Sequence, residues 1–131
     1  YVINEEKKIE LLPHLGSVII EDFVEVGNNT CIDRAVIGNT IVRTGAKIDN
    51  LVHVAHGVEI GKNSLIIANS MVGGSVTVGE NVWVAPSSSI INGVSIGNNS
   101  IVGLGAVVIN SVGEKDTVVG NPGKPLKRID K

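Results

Sequence analysis

The sequence predicts an all-β chain wound as a stack of short coils, and three observations predict it. β-Branched residues dominate the apolar content: 21 Val and 17 Ile stand in a chain of 131 residues that is 43% hydrophobic, a composition suited to strands rather than helices. Gly (16) and Asn (13) are plentiful, and both accept the backbone conformations of tight turns. The third observation is a strict period of six. From Val42 to Val108 every sixth residue is Val or Ile, twelve in succession, and the residue four further on is always Ala, Ser or Val.

Each hexad reads as a short strand plus a corner. The Val or Ile points into a narrow prism, where a rotamer-restricted side chain fits, and the small residue four later points inward near the corner. Residues 1–14 lack the repeat and read as a lead-in hairpin or linker, with weak alternation around Asn4, Glu5, Glu6, Lys7 and Lys8. A first run of hexads follows at Ile20, Val26 and Ile32, with Val24, Thr30 and Val36 four further on. Ten residues, not six, separate Ile32 from Val42, so four extra residues form a small protruding loop within 35–41. The main run then carries the β-helix domain to residue 113, giving domain bounds of 15–113. Fifteen hexads at three per coil make five coils, a prism roughly 24 Å tall at about 4.8 Å per layer. Stacked coils pair most strand edges internally. Residues 114–131 read as a turn-rich tail containing 121–125 (NPGKP) that packs over the last coil or a neighbour.

Composition excludes several functions. Charged residues are 18%, the net charge is −2 and the mean hydropathy is +0.29, which argues against disorder. Three aromatics (Tyr1, Phe23, Trp83) and an acidic balance offer no footprint or stacking platform for nucleic acid. No apolar run is long enough to span a membrane, and no signal-peptide pattern is visible. One cysteine, Cys31, cannot form an internal disulfide and suits a reducing, cytoplasmic setting.

The hexads resemble those of the hexapeptide-repeat transferases, a family of left-handed parallel β-helices. The handedness is implied by the resemblance, since crossovers elsewhere favour the opposite hand. The segments 12–16 (LPHLG), 31–34 (CIDR), 48–50 (IDN) and 54–56 (VAH) are similar to a narrower group, the UDP-3-O-acylglucosamine N-acyltransferases of lipid A synthesis. The four-residue interruption after Asp33 and Arg34 matches that group too. The family carries an additional N-terminal domain; its absence here, with a start at Tyr1 rather than Met, leads to the expectation of a fragment.

The resemblance implies N-acyl transfer from a thioester to the amine of a nucleotide-linked amino sugar. It places His56 on the family's catalytic histidine, and an imidazole titrates in the range needed to take a proton from an amine. A solvated corner histidine is the plain alternative. Gly74, eighteen residues on and one coil along, is expected to lend its N–H to the thioester oxyanion; it also reads as an ordinary corner glycine. Asp33, Asp49, Asn50 and His53 are expected on the acceptor side, and His14 as a structural residue of the lead-in. The pantetheine arm is expected along Ala85, Gly103 and Ala106, with Lys124, Lys127 and Arg128 toward coenzyme phosphates or simply as a basic terminus. Trp83 is expected to pack on the tail or a neighbouring subunit, or to flank the donor.

The donor stays open. A second histidine of the family is missing near Asn92 and Gly93, and 103–106 (GLGA) replaces a Met-rich stretch that measures long acyl chains. The tail at 118–124 resembles that of acetyl-CoA-using hexapeptide transferases, whereas the N-terminal motifs resemble the lipid A enzyme. Acyl-CoA, acetyl-CoA above all, and acyl-carrier protein are therefore both candidate donors. A homotrimer with active sites between subunits is implied. Two alternatives are a non-catalytic trimeric scaffold and a zinc enzyme similar to carbonic anhydrases. The pair His53-x-x-His56 is a weak metal signal without a third ligand, so no metal is expected.

Overall fold

The computed structural model describes residues 1–126. Among these every regular element is a strand, most of them two residues long. Three parallel sheets form the faces of a prism, and the chain winds through them as a left-handed β-helix. The first face stacks Ser17–Ile20, Asn39–Val42, Glu59–Ile60, Thr77–Val78 and Ser95–Ile96. The second stacks Glu25–Val26, Lys47–Ile48, Leu65–Ile66, Trp83–Val84, Ile101–Val102 and Thr117–Val119. The third stacks Cys31–Ile32, His53–Val54, Met71–Val72, Ser89–Ile90 and Val107–Val108.

The core follows the hexads. All twelve Val and Ile positions from Val42 to Val108 are buried. The small inward residues sit beside them, and the serines among them close the corners. Ser64 donates to the Gly79 carbonyl at 2.7 Å and accepts from the Val82 N–H at 3.0 Å; Ser88 donates to Ala85 and Gly103. No buried side-chain nitrogen or oxygen among the described residues lacks a partner, so hydrogen bonds offset the desolvation of the polar corners. From Val42 to Val102 the backbone turns left-handed three residues after each inward Val or Ile. Asn63, Asn69 and Asn81 take this place with φ of 54°, 62° and 54°, which explains the asparagine content.

Two departures from the regular period matter. Partners in the middle coils are eighteen residues apart, as in His53 with Met71. The first coil is offset by the extra residues, so Ile20 pairs with Val42. Those residues bend at 36–38, with Ile37 86% exposed. Val36, expected inward, is only half-buried; Ala35 and Thr40 fill the interior instead. At the other end Thr117–Val119 stacks on Ile101–Val102 with a separation of sixteen. Val112 bridges Ile96 at the same separation, and Val118 is buried. The second face therefore has six parallel layers, one more than the five-coil count. The tail expected from residue 114 onward begins as a further layer because the chain drops two residues and loses the six-residue step. Lys124–Pro125 then folds back antiparallel on Thr117–Val119. The opposite end is open: Val18, Ile20 and Val26 are exposed, with no layer beneath them among the described residues. Before the first coil, Val2–Ile3 and Ile9–Glu10 form an antiparallel pair.

Candidate active site at the corner between the third and first faces

Two residues past the inward position of each third-face strand lies a corner column. It reads Arg34, His56, Gly74, Asn92 and Asn110 from the first coil upward. His56 is half-buried there and its ring leans over the next coil. A Cβ on Gly74 would fall 2.6 Å from both Cε1 and Nε2 of His56. The imidazole thus occupies the space a side chain at 74 would need, and only glycine leaves it free.

The ring also meets His14. The two imidazole centroids are 5.7 Å apart with planes inclined at 71°, an edge-to-face arrangement. Sequence reasoning treated His14 as structural and missed this contact; the LPHLG motif named the segment without showing where it docks. Arg34, Asp33, His14 and His56 line one cleft of about 510 Å³, walled on its apolar side by Leu11, Leu12 and Pro13. His53 lies on the outer surface of the third face and reaches Asp33 at 3.6 Å. Among the described residues no group of three His, Cys, Asp or Glu side chains is placed to hold a metal ion.

Several expected residues stand elsewhere. The Gly74 N–H donates to Asn92 Oδ1 at 3.0 Å. The same bond one coil apart is made by Asn28 to Asn50 and by Glu80 to Asn98, so it is a general lock of the corners. In this structure the Gly74 N–H expected to face an oxyanion is bonded to Asn92, and the bare Cα at 74 leaves room for the His56 ring. Asp49 and Asn50 sit at the corner between the second and third faces. Asp49 Oδ1 accepts from the Asn50 backbone and side-chain amides at 2.8 and 2.9 Å, and Asp49 lines a separate cleft with Glu25 and Lys47. Ala85 and Gly103 occupy that same corner higher up, not the corner of His56. A Cβ on Gly103 would meet Val119 Cγ1 at 2.8 Å, so the added sixth layer covers it. Ala106 is fully buried in the core. It fills the small inward position and cannot touch a pantetheine arm. Lys124 is exposed beside Val119. Lys127 and Arg128 lie outside the described residues. Trp83 is 51% exposed on the second face, between Leu65 and Ile101.

Known proteins share this coil. The family model "Bacterial transferase hexapeptide (six repeats)" matches residues 75–110. Over those residues the chain is similar to that family. It is 53% identical over 64 residues to the UDP-3-O-acylglucosamine N-acyltransferase of Christiangramia forsetii, covering 49% of this chain and 19% of that protein. It is 61% identical over 62 residues to the protein of the same name from Campylobacter lari, covering 47% and 19%. Among solved structures it superposes on a UDP-N-acetylglucosamine acyltransferase of Arabidopsis with a TM-score of 0.83 and 24% identity, over 85% of this chain and 39% of that one. The chain spans about a fifth of the length of the curated relatives it matches.

Proposed function

We propose that this chain is the β-helix portion of an N-acyltransferase that acts on the amine of a nucleotide-linked amino sugar. The relatives' name, UDP-3-O-acylglucosamine N-acyltransferase, supports the reaction class. The observation that carries the reading is the placement of His56, half-buried at an open cleft with Arg34 and Asp33. His56 acts as general base: the acceptor nitrogen attacks the thioester carbonyl carbon, the imidazole takes the proton the nitrogen sheds, and the C–S bond breaks as the C–N bond forms. The thiolate leaves and is reprotonated. Arg34 brings a fixed positive charge to the same cleft, suited to an anionic acceptor. Asp33 lies on the acceptor side, with His53 behind it. The donor is an acyl-CoA, acetyl-CoA in the first instance, or an acyl-carrier protein.

The working assembly in this reading is a homotrimer. Asp49, Asn50, Ala85 and Gly103 stand on a different corner from His56, and a corner of a neighbouring copy can complete what one chain leaves half-built. Among the described residues no helix is long and apolar enough to cross a membrane, and the reading places the protein in the cytoplasm. The test is a screen of acetyl-CoA and acyl-carrier protein donors against nucleotide amino sugars, run with wild type and His56→Ala. Loss of transfer in the variant by about 100-fold or more is expected; undiminished transfer would reject His56 as the base.

A further inference from the structure

We propose that His14 is a positioning residue for His56, and that the four-residue interruption of the repeat exists to hold it there. The proposal rests on the reading of His56 as the base. A catalytic histidine is usually oriented by a hydrogen-bonded partner. Here the His56 ring lies against the bare Cα of Gly74 and meets the His14 ring at 5.7 Å and 71°. Neither is a hydrogen bond. The ring is held by packing against both neighbours, and edge-to-face aromatic pairs of this geometry are favourable.

The segment that carries His14 is fixed by the interruption loop. The Leu15 N–H donates to the Val36 carbonyl at 2.8 Å, Gly16 to Ala35 at 3.0 Å and Ser17 to Gly38 at 2.9 Å. The approach is close: a Cβ on Gly16 would lie 2.5 Å from the Gly38 oxygen and 2.6 Å from that of Ala35. Pro13 precedes His14 and fixes the φ of its own residue, which stiffens the strap just ahead of the ring. An uninterrupted hexad would carry the chain straight from Ile32 to the next strand and offer this segment no loop to bind. The four added residues supply carbonyls to three successive amides, and the strap they dock sets His14 against the ring of His56.

The test uses the full chain with His14→Ala and His14→Phe. Nuclear Overhauser contacts between the His56 ring protons and the Gly74 Hα report the ring's place with or without turnover. Wild type and His14→Phe should show them, and His14→Ala should lose most of their intensity. In acyl transfer, His14→Ala should lower kcat by about 10-fold or more with the acceptor KM within about twofold, since misplacement of a reacting group costs turnover. His14→Phe should recover most of the loss. Intact contacts and kcat in His14→Ala would overturn the proposal. So would His14→Phe that keeps the contacts yet is as slow as His14→Ala, because His14 would then act through its own nitrogens. If wild type transfers no acyl group, or His56→Ala transfers it normally, the general-base reading fails, and the Overhauser contacts alone still decide whether His14 positions the ring.

Discussion

At the corner column a single missing methyl decides where an imidazole can lie. Gly74→Ala places a Cβ 2.6 Å from Cε1 and Nε2 of His56, and the atom that must yield is the end of a rotatable side chain, not backbone. Stability should therefore change by about 1 kcal/mol or less. Acyl transfer should fall by about 10-fold or more because the base is turned out of the cleft. Paired urea titrations and initial rates separate the two effects. His56 was legible in the sequence because VAH sits at a fixed hexad position beside IDN. Its neighbour His14 was not, because the contact joins a non-repeating strap to a corner 42 positions further along, and no local period encodes such docking. The commitment of the Gly74 N–H to Asn92 was hidden for a related reason: the hexad pattern says which side chains point inward, not which corner amides find side-chain acceptors.

The hexad itself was almost wholly legible, since its period places every inward residue from Val42 to Val108. What the period does not describe is how outward side chains tie coil to coil. At the corner between the first and second faces Arg43 bridges three layers. It donates to Glu21 below and Glu59 above, each at 2.8 Å. Glu21 also accepts from the Thr44 N–H and hydroxyl. The Arg43 bond first, and then those from Thr44, hold the Glu21 carboxyl at a pKa of about 2, well below the ordinary carboxylate range. A carboxylate lowered in the folded state adds stability above its unfolded pKa and loses it as the pH falls toward the folded value. Acid unfolding followed from pH 5 to about 2 should thus show a shallower slope for Glu21→Gln than for wild type. An identical slope would mean the staple adds nothing to the stack.

Taken as a whole, the molecule is a column of near-identical layers, in which each coil touches only the coils above and below. Position along the axis then governs what a substitution costs. Ile60→Ala in a closed layer, where the side chain is fully buried, should cost about 2–5 kcal/mol. Ile20→Ala makes the same change in the open first coil, where Ile20 is 51% exposed, and should cost about 1 kcal/mol or less. Urea midpoints of the two variants compare them directly. On the outer wall Leu65, Trp83 and Ile101 stack as one exposed apolar stripe. If the proposed trimer associates along this stripe, Trp83→Glu should shift the sedimenting species from trimer toward monomer. An unchanged mass would move the interface to another face.

The spacing of the layers also limits how this column can change in length. Between Val42 and Val108 a residue's vertical partner is always eighteen positions away, as Val72 is from Val54 and Ile90 from Val72. An insertion or deletion taken up within the coil preserves the faces only if it spans a full turn; any other number must be looped out, as the four extra residues are at 36–38. The two irregular spacings, 22 at the first coil and 16 at the last, lie at the extremities, where only one neighbouring layer has to accommodate them. Such a coil grows or shrinks in quanta of eighteen, and the corner bearing His56 keeps its orientation across changes within the coil only when they are of that size.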